Sequence, residues 1–332
     1  MYASCIRHLG KCRRWTEAID VLHSIRAAGR VPNTFCLSAA IGACSSAGEW
    51  KRGVSLLHEA PALGTVLDVV SFNSAISACS EAGQWKEALA LFREMEDAGV
   101  KPDVVSYSAA IVACGRGGRW EECVSLLREM EPAGITPNVI CYSAAIKACG
   151  NGGPRELAVT LLREMEGAGI APDVITYNAA IKAFGNGRQW ELAVSLLREM
   201  ESADITPTML SYNSAIKACG SGGQCELAVS LLREMVSAGI APDAVTYNSA
   251  IKACGSGGQW EVAISLLKEM KSACITPTMV SYSSAIKACG GGGQWKPVLT
   301  LLKEMESAGI TPDVTAYNSA IKACGNGREW EQ

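Results

Sequence analysis

A ten-residue phrase returns along this chain at a fixed interval of 35 residues. Ser211-Tyr212-Asn213-Ser214-Ala215-Ile216-Lys217-Ala218-Cys219-Gly220 recurs as Thr246-Tyr247-Asn248-Ser249-Ala250-Ile251-Lys252-Ala253-Cys254-Gly255, and again with small changes from Ser281. Self-similarity at such a period means stacked supersecondary units rather than one irregular core. A solenoid grows by adding units, so the 332 residues count copies and not domains. An apolar content of 48% with 19% charged residues excludes a disordered chain. No apolar run reaches the roughly 18 residues of a spanning helix, so no membrane partner is expected.

Placing each boundary after the Pro-Asp step gives eight full units: 34–68, 69–103, 104–138, 139–173, 174–208, 209–243, 244–278 and 279–313. Residues 1–33 read as a truncated N-terminal unit and 314–332 as a truncated C-terminal one. Both ends are thus expected to be cut within a unit, as in a fragment or an incomplete gene model. Each unit reads as two helices. In 209–243 the first is expected to open at Ser211 as N-cap, with Tyr212, Ala215, Ile216 and Cys219 on one apolar stripe. Gly220-Ser221-Gly222-Gly223 should stop it, because glycine tolerates the φ > 0 of a helix C-terminus. The second helix should run from about Gln224 to Ser237, with Gly239 ending it and Pro242 turning the chain into the next unit. Unit 34–68 is the least regular, with Pro61 inside its expected second helix and Leu67 where others have proline. Units 174–243 and 244–313 resemble one another as pairs, with Asp204 and Cys274 both replacing the glycine.

Fifteen cysteines would suggest a disulfide framework in a small secreted protein. Eight of them, Cys44, Cys79, Cys114, Cys149, Cys219, Cys254, Cys289 and Cys324, stand 35 residues apart or at multiples of it. One small buried slot copied with the repeat accounts for these, and a reducing compartment fits best. Trp50, Trp85, Trp120, Trp190, Trp260 and Trp295 open the second helices. They could stack on bases, but beside an interhelix turn such a ring more often packs between helices.

Against this near-constant background two positions vary within narrow limits. The fifth residue of each unit is Ser38, Asn73, Ser108, Ser143, Asn178, Asn213, Asn248, Ser283 and, in the last partial unit, Asn318. The last residue is Asp68, Asp103, Asn138, Asp173, Thr208, Asp243, Thr278 and Asp313. Asn carries an acceptor and two donors, Ser a hydroxyl of both kinds, and ionised Asp only accepts. Such groups can tell apart the Watson–Crick edges of unstacked bases. Ser and Asn also suit helix starts, and Asp and Asn suit turns, without any ligand.

A 35-residue helical hairpin with Tyr-Asn/Ser in its first helix, Leu-Leu-Arg-Glu-Met in its second and a closing Ala-Gly-Ile-x-Pro-Asp resembles the pentatricopeptide repeat family, in its pure P-type form. The resemblance covers essentially the whole chain. It implies an all-α fold, a right-handed superhelical α-solenoid of stacked helix-turn-helix repeats. It implies binding of single-stranded RNA at one base per unit, read by the fifth and last residues. By the family's pairing, Ser with Asp (Ser38/Asp68, Ser143/Asp173, Ser283/Asp313) implies guanine, and Asn with Asp (Asn73/Asp103, Asn213/Asp243) implies uracil. Ser108 with Asn138 implies adenine, and Asn with Thr (Asn178/Thr208, Asn248/Thr278) a pyrimidine leaning. The implied site is 5′-GUAGYUYG-3′, its first G resting on the irregular unit. The second residues Val70, Val105, Ile140, Ile175, Leu210, Val245 and Val280 would sandwich the base, with ordinary interunit packing as the alternative. The resemblance further implies a monomer, other RNA-processing proteins as partners, no cofactor, and a mitochondrion or chloroplast as location.

Net charge is −3, which by itself argues weakly against nucleic acid. Position matters more than the total. Lys147, Lys182, Lys217, Lys252, Lys287 and Lys322 each follow the fifth residue by four, on the same helix face. They form a basic line where a phosphate backbone could run; a merely solvated row is the bland alternative. The N-terminal units have Gly42, Ser77 and Val112 there. Glu129, Glu164, Glu199, Glu234, Glu269 and Glu304 lie late in the second helices beside Arg or Lys.

Catalysis finds no constellation. His8, His23 and His58 sit in no His-x-Glu pattern, and no Cys-x-x-Cys exists, so metal ligands are not expected and the zinc deaminase signature is absent. The competing class is a protein-binding scaffold of tetratricopeptide type. Its 34-residue units carry Trp-x-x-Leu-Gly-x-x-Tyr, which is missing here, and an acidic first-helix face would favour it.

Overall fold

A computed structural model describes residues 2–185 and 189–326. Residues 327–332 of the last partial unit lie outside the described residues. Those described are helical, with no strand among them. The chain divides into two compact units, Met1–Pro172 and Asp173–Gln332.

The first unit contains α1 (Tyr2–Lys11), α2 (Trp15–Ala27), α3 (Thr34–Ala47), α4 (Trp50–Glu59), α5 (Val69–Glu81), α6 (Trp85–Asp97), α7 (Val104–Arg116), α8 (Trp120–Met130), α9 (Val139–Gly152) and α10 (Arg155–Gly167). Odd-numbered helices stack on one another in the order α1, α3, α5, α7, α9. Each even-numbered helix packs on its own hairpin partner, and α2, α4, α6 and α8 also pack on the next odd-numbered helix. The second unit contains α11 (Val174–Phe184), α12 (Trp190–Ser202), α13 (Met209–Gly222), α14 (Cys225–Ser237), α15 (Ala244–Ser256), α16 (Trp260–Ser272), α17 (Met279–Gly291), α18 (Trp295–Ser307) and α19 (Val314–Asn326), stacked by the same rule. Each unit is therefore an α-solenoid of antiparallel hairpins.

The core is the expected stripe. Tyr107, Ala110, Ile111 and Cys114 on α7 are buried, as are Tyr247, Ala250, Ile251 and Cys254 on α15. On the second helices Leu126, Leu127 and Met130, or Leu266, Leu267 and Met270, close the layer from the other side. Burial pushes the repeated thiols up, to about 11 for Cys44, Cys79, Cys114, Cys149 and Cys289 and to about 12 for Cys219. These cysteines are packing residues with little thiolate at neutral pH. Cys254 departs from that pattern. It forms a disulfide with Cys225, the residue that replaces tryptophan at the start of α14. A small thiol there lies close to the slot that the next hairpin fills with its own cysteine.

The helix starts differ from expectation. α13 opens at Met209, not at Ser211, and its N-cap is Thr208. Ser211 stands in the first turn, where its hydroxyl accepts from the Thr208 N–H at 2.9 Å. The same register holds elsewhere: Asp103 accepts from the Ser106 N–H at 2.9 Å, Asn138 from Cys141 at 3.1 Å, and Asp243 from Thr246 at 2.8 Å. The last residue of each sequence unit thus satisfies an orphan N–H of the next hairpin's first turn. The unit containing Pro61 adapts locally. α4 ends at Glu59, and a short 3-10 turn, Pro61–Leu63, replaces its last turn.

The glycine runs divide two tasks. α13 continues through Gly220 to Gly222, and only Gly223, at φ 70°, ends it. The preceding glycine serves the tryptophan row instead. The Trp rings are half-buried, and four of them lie against a glycine of the next hairpin: Trp85 on Gly117, Trp120 on Gly153, Trp190 on Gly222 and Trp260 on Gly292. A Cβ on Gly153 would lie 2.9 Å from ring carbons of Trp120. Packing between hairpins, not base stacking, explains these rings.

Gly117→Ala should therefore destabilise the protein by about 1–3 kcal/mol through overpacking on Trp85, measured by denaturant unfolding. The penalty should shrink when Trp85 is also replaced by leucine. An unchanged unfolding midpoint for the single variant would contradict the contact.

Candidate nucleic-acid interface

The odd-numbered helices carry three kinds of residue on one face. The first is a buried or half-buried polar residue, the fifth of each sequence unit. Its partner is the capping residue that starts the following hairpin. Asn73 Nδ2 donates to Asp103 Oδ1 at 3.1 Å, Asn178 Nδ2 to Thr208 Oγ1 at 3.2 Å and Asn213 Nδ2 to Asp243 Oδ1 at 3.3 Å. Ser283 Oγ donates to Asp313 Oδ1 at 3.2 Å, while Ser108 Oγ lies 3.5 Å from Asn138 Oδ1 and donates chiefly to the Val104 carbonyl. Of the seven pairs that lie within one compact unit, five are thus in contact. Ser38 turns back to the Phe35 carbonyl, and Asp68 caps α5 through Ser71. Asn248 does not reach Thr278, and its Oδ1 is buried without a partner. Ser143 donates to the Val139 carbonyl within the first unit, and Asp173 caps α11 within the second. Asn318 is exposed on α19.

The second kind is an exposed aliphatic row. Val70, Val105, Ile140, Ile175, Leu210, Val245 and Val280 are 51–65% exposed. Ordinary interunit packing does not explain them. In the first unit Val70, Asn73, Asp103 and Val105 line one cleft, with apolar walls and a polar floor. In the second unit Val280, Ser283, Lys287, Asp313, Asn318 and Lys322 line another.

The third kind is the lysine row. Lys147, Lys182, Lys217, Lys252, Lys287 and Lys322 are all exposed, and among the described residues none takes part in an ion pair. The acids of the second helices are neutralised instead. Arg93 pairs with Glu129 at 2.8 Å, Arg128 with Glu164 at 2.6 Å, Arg198 with Glu234 at 2.6 Å, Lys271 with Glu304 at 2.5 Å, and Arg233 with Glu269. Such exposed pairs add little stability, but they leave the lysines of the odd-numbered helices as unneutralised charge. The lysine row gives this face a basic line from Lys147 onward, whereas an acidic face would favour a protein-binding scaffold.

Charge state supports acceptor roles for the aspartates. Burial raises the carboxyl of Asp103, but the Ser106 N–H, the Asn73 amide and the Ser106 hydroxyl outweigh it and hold it below the usual carboxylate range. Asp243 is held low in the same way, by the Thr246 N–H and hydroxyl and by Asn213 against burial. Both are ionised at neutral pH and can only accept. Sequence reasoning missed a third participant. The hydroxyl at the third place of the following unit reaches back to the asparagine: Ser211 donates to Asn178 Oδ1 and Thr246 to Asn213 Oδ1, each at 2.5 Å. The signal was the recurrence of Ser or Thr there, obscured by the reading of Ser211 as the N-cap. Among the described residues no cluster of three His, Cys, Asp or Glu side chains is placed to hold a metal ion, and no helix is long and apolar enough to cross a membrane.

Family comparison matches this geometry. Models described as "PPR repeat family" match residues 67–116 and 277–326, and "Pentatricopeptide repeat domain" matches 125–187, 160–222 and 230–292. A "PPR repeat" model matches 105–134 and 210–240, so that together they span 67–326. The chain belongs to the pentatricopeptide repeat family. Among solved structures it is similar to the crystal structure of the pentatricopeptide repeat protein PPR10 from maize, at 25% identity and a TM-score of 0.55, covering 99% of this chain and 57% of that one. It is also similar to PPR10 in complex with an 18-nt psaJ RNA element, at 26% identity and a TM-score of 0.52, covering 99% of this chain and 51% of that one. The chain thus spans little more than half the length of these relatives. No curated protein matches it.

Because the last residue of a unit also caps a helix, its loss should be felt without any ligand. Asp243→Ala should cost about 1 kcal/mol, whereas Asp243→Asn should cost a few tenths, read from denaturant midpoints. The stabilisation from this lowered carboxyl is present at neutral pH and is lost as pH falls through its folded-state pKa. Equal stability of Asp243→Ala and wild type would contradict the capping role.

Proposed function

We propose that this protein binds single-stranded RNA in a sequence-specific way, one base per hairpin, along the face of the odd-numbered helices. The observation that carries the reading is a polar pair of fifth and capping residues set beside exposed aliphatics in a cleft of each unit. Lys287 and Lys322 flank the cleft of the second unit, whereas Gly42 and Ser77 stand at the lysine positions beside that of the first. A base can enter between the aliphatic side chains, present its Watson–Crick edge to the pair and leave its phosphate to the lysines. The complex of PPR10 with an 18-nt RNA element supports RNA as the ligand class.

In this reading Ser38/Asp68, Ser143/Asp173 and Ser283/Asp313 read guanine, Asn73/Asp103 and Asn213/Asp243 uracil, and Ser108/Asn138 adenine. Asn178/Thr208 and Asn248/Thr278 read a pyrimidine. The register of eight full repeats over 34–313 gives 5′-GUAGYUYG-3′. Val70, Val105, Ile140, Ile175, Leu210, Val245 and Val280 hold the bases. The outcome is occupancy: a covered site is shielded from nucleases or held single-stranded, with no chemistry by the chain itself. A mitochondrial or plastid transcript is the target class that family membership suggests.

The oligomer 5′-GUAGUUUG-3′ should bind at least about tenfold tighter than a scrambled oligomer of the same composition, measured by fluorescence anisotropy; equal affinity would end the base-reading claim. Replacing Lys217, Lys252 and Lys287 by serine should weaken binding to all sequences alike. It should reduce the slope of log K against log salt by about 2. An unchanged slope would remove the lysines from the interface.

A further inference from the structure

An asparagine carboxamide is nearly symmetric in shape, yet a half-turn exchanges its acceptor for its donors. A reader must therefore have one end fixed. At Asn178 the Ser211 hydroxyl donates to Oδ1 at 2.5 Å, and Nδ2 donates to Thr208 Oγ1 at 3.2 Å. Thr208 Oγ1 in turn lies 3.1 Å from Ser211 Oγ. Ser211 has one proton and gives it to Asn178, so Thr208 is the donor in the last contact. The three side chains close a ring with a single order of protons. Ser211 is fully buried and Asn178 is 7% exposed, so water does not compete for this order. What remains for the cleft is one N–H of Asn178, since Thr208 Oγ1 already accepts from the Asn178 amide and, as N-cap, from the Ser211 N–H.

The neighbouring hairpin reaches the same result with other residues. The single hydroxyl proton of Thr246 is shared between Asn213 Oδ1 at 2.5 Å and Asp243 Oδ1 at 2.8 Å, and Asn213 Nδ2 donates to Asp243 Oδ1 at 3.3 Å. The cleft again meets one N–H. Asn73 and Asn248 are the contrast. Each has its Oδ1 buried without a partner; the Ser106 hydroxyl donates to Asp103, and the Ser281 hydroxyl lies 3.2 Å from Thr278 Oγ1.

We propose that Ser211 and Thr246 are specificity-determining positioning residues: each fixes the asparagine of the preceding repeat with its amide nitrogen toward the cleft, so that Asn178/Thr208 reads uracil as Asn213/Asp243 does. Thr208, having given its proton to Ser211, presents no donor to the cleft, as aspartate presents none. Uracil meets the fixed Asn178 N–H with a ring carbonyl. This inference rests on the base-reading function proposed above.

The test uses the full chain and 5′-GUAGUUUG-3′ against the same oligomer with cytosine at the fifth base. Wild type should prefer uracil by about fivefold or more, and Ser211→Ala should bring the two within about twofold. Ser211→Thr, which keeps the hydroxyl, should retain the preference. Loss of both affinities in parallel with the preference intact would mean that Ser211 only supports the fold, and would overturn the proposal. Wild type that rejects the scrambled oligomer but shows no preference at the fifth base would overturn it while leaving base reading intact. Wild type that binds the scrambled oligomer equally would overturn both. A second readout needs no RNA: exchange of the Asn178 side-chain amide protons, followed by NMR, should quicken in Ser211→Ala and not in Ser211→Thr. Unchanged exchange would also overturn the proposal.

Discussion

A single hairpin of this chain cannot cover its own apolar stripe. Tyr247, Ala250, Ile251 and Cys254 on α15 are buried only because the hairpins on either side stack odd-numbered helix on odd-numbered helix. That need sets the register at every junction within each compact unit, since a shifted hairpin would bury polar residues and expose the stripe. Identical junctions then place equivalent positions in equivalent surroundings. The fifth residue meets the cap of the following hairpin in most copies, and the second residue stands clear of the packing. A repeated interface is thus a by-product of repeated burial, and its chemistry can change from copy to copy without disturbing the core.

The capping residue ties the two together. Asp103 and Asp243 satisfy the first turn of one helix while facing the asparagine of the helix before it. The choice there is limited to Asp, Asn and Thr because only short polar side chains cap. Within that menu the residues differ in whether they donate or accept. Stability therefore restricts the alphabet, and the remaining freedom is what a ligand could read. The charge pattern follows the same division of labour. Cross-hairpin ion pairs such as Arg128–Glu164 absorb the acids of the even-numbered helices, leaving lysines unpaired on the odd-numbered ones.

Much of this was legible from the 35-residue period alone. The helices, the buried cysteine and tyrosine stripe and the common face of Asn213 and Lys217 follow from helical spacing. Three features were not legible because they depend on contacts between copies. Ser211 looked like a cap, since serine before an apolar run is a good one; in the structure Thr208 takes that place and Ser211 turns to Asn178. Gly222 looked like part of a helix stop, but it makes room for Trp190 from the preceding hairpin. Cys225 looked like a lost tryptophan, and its disulfide with Cys254 joins residues from two copies. One unit's sequence carries no information on what the next unit brings to within 3 Å of it.

The central claim is geometric: RNA runs along the odd-numbered helices with one base in each aliphatic-walled cleft. A crystal structure of the full chain with 5′-GUAGUUUG-3′ tests it most directly. The account predicts successive bases between residues such as Val70 and Val105, with Watson–Crick edges within hydrogen-bond distance of Asn73 and Asp103, and phosphates near the lysine row. RNA lying along the even-numbered helices, or bases turned out to solvent with only phosphates held, would contradict it.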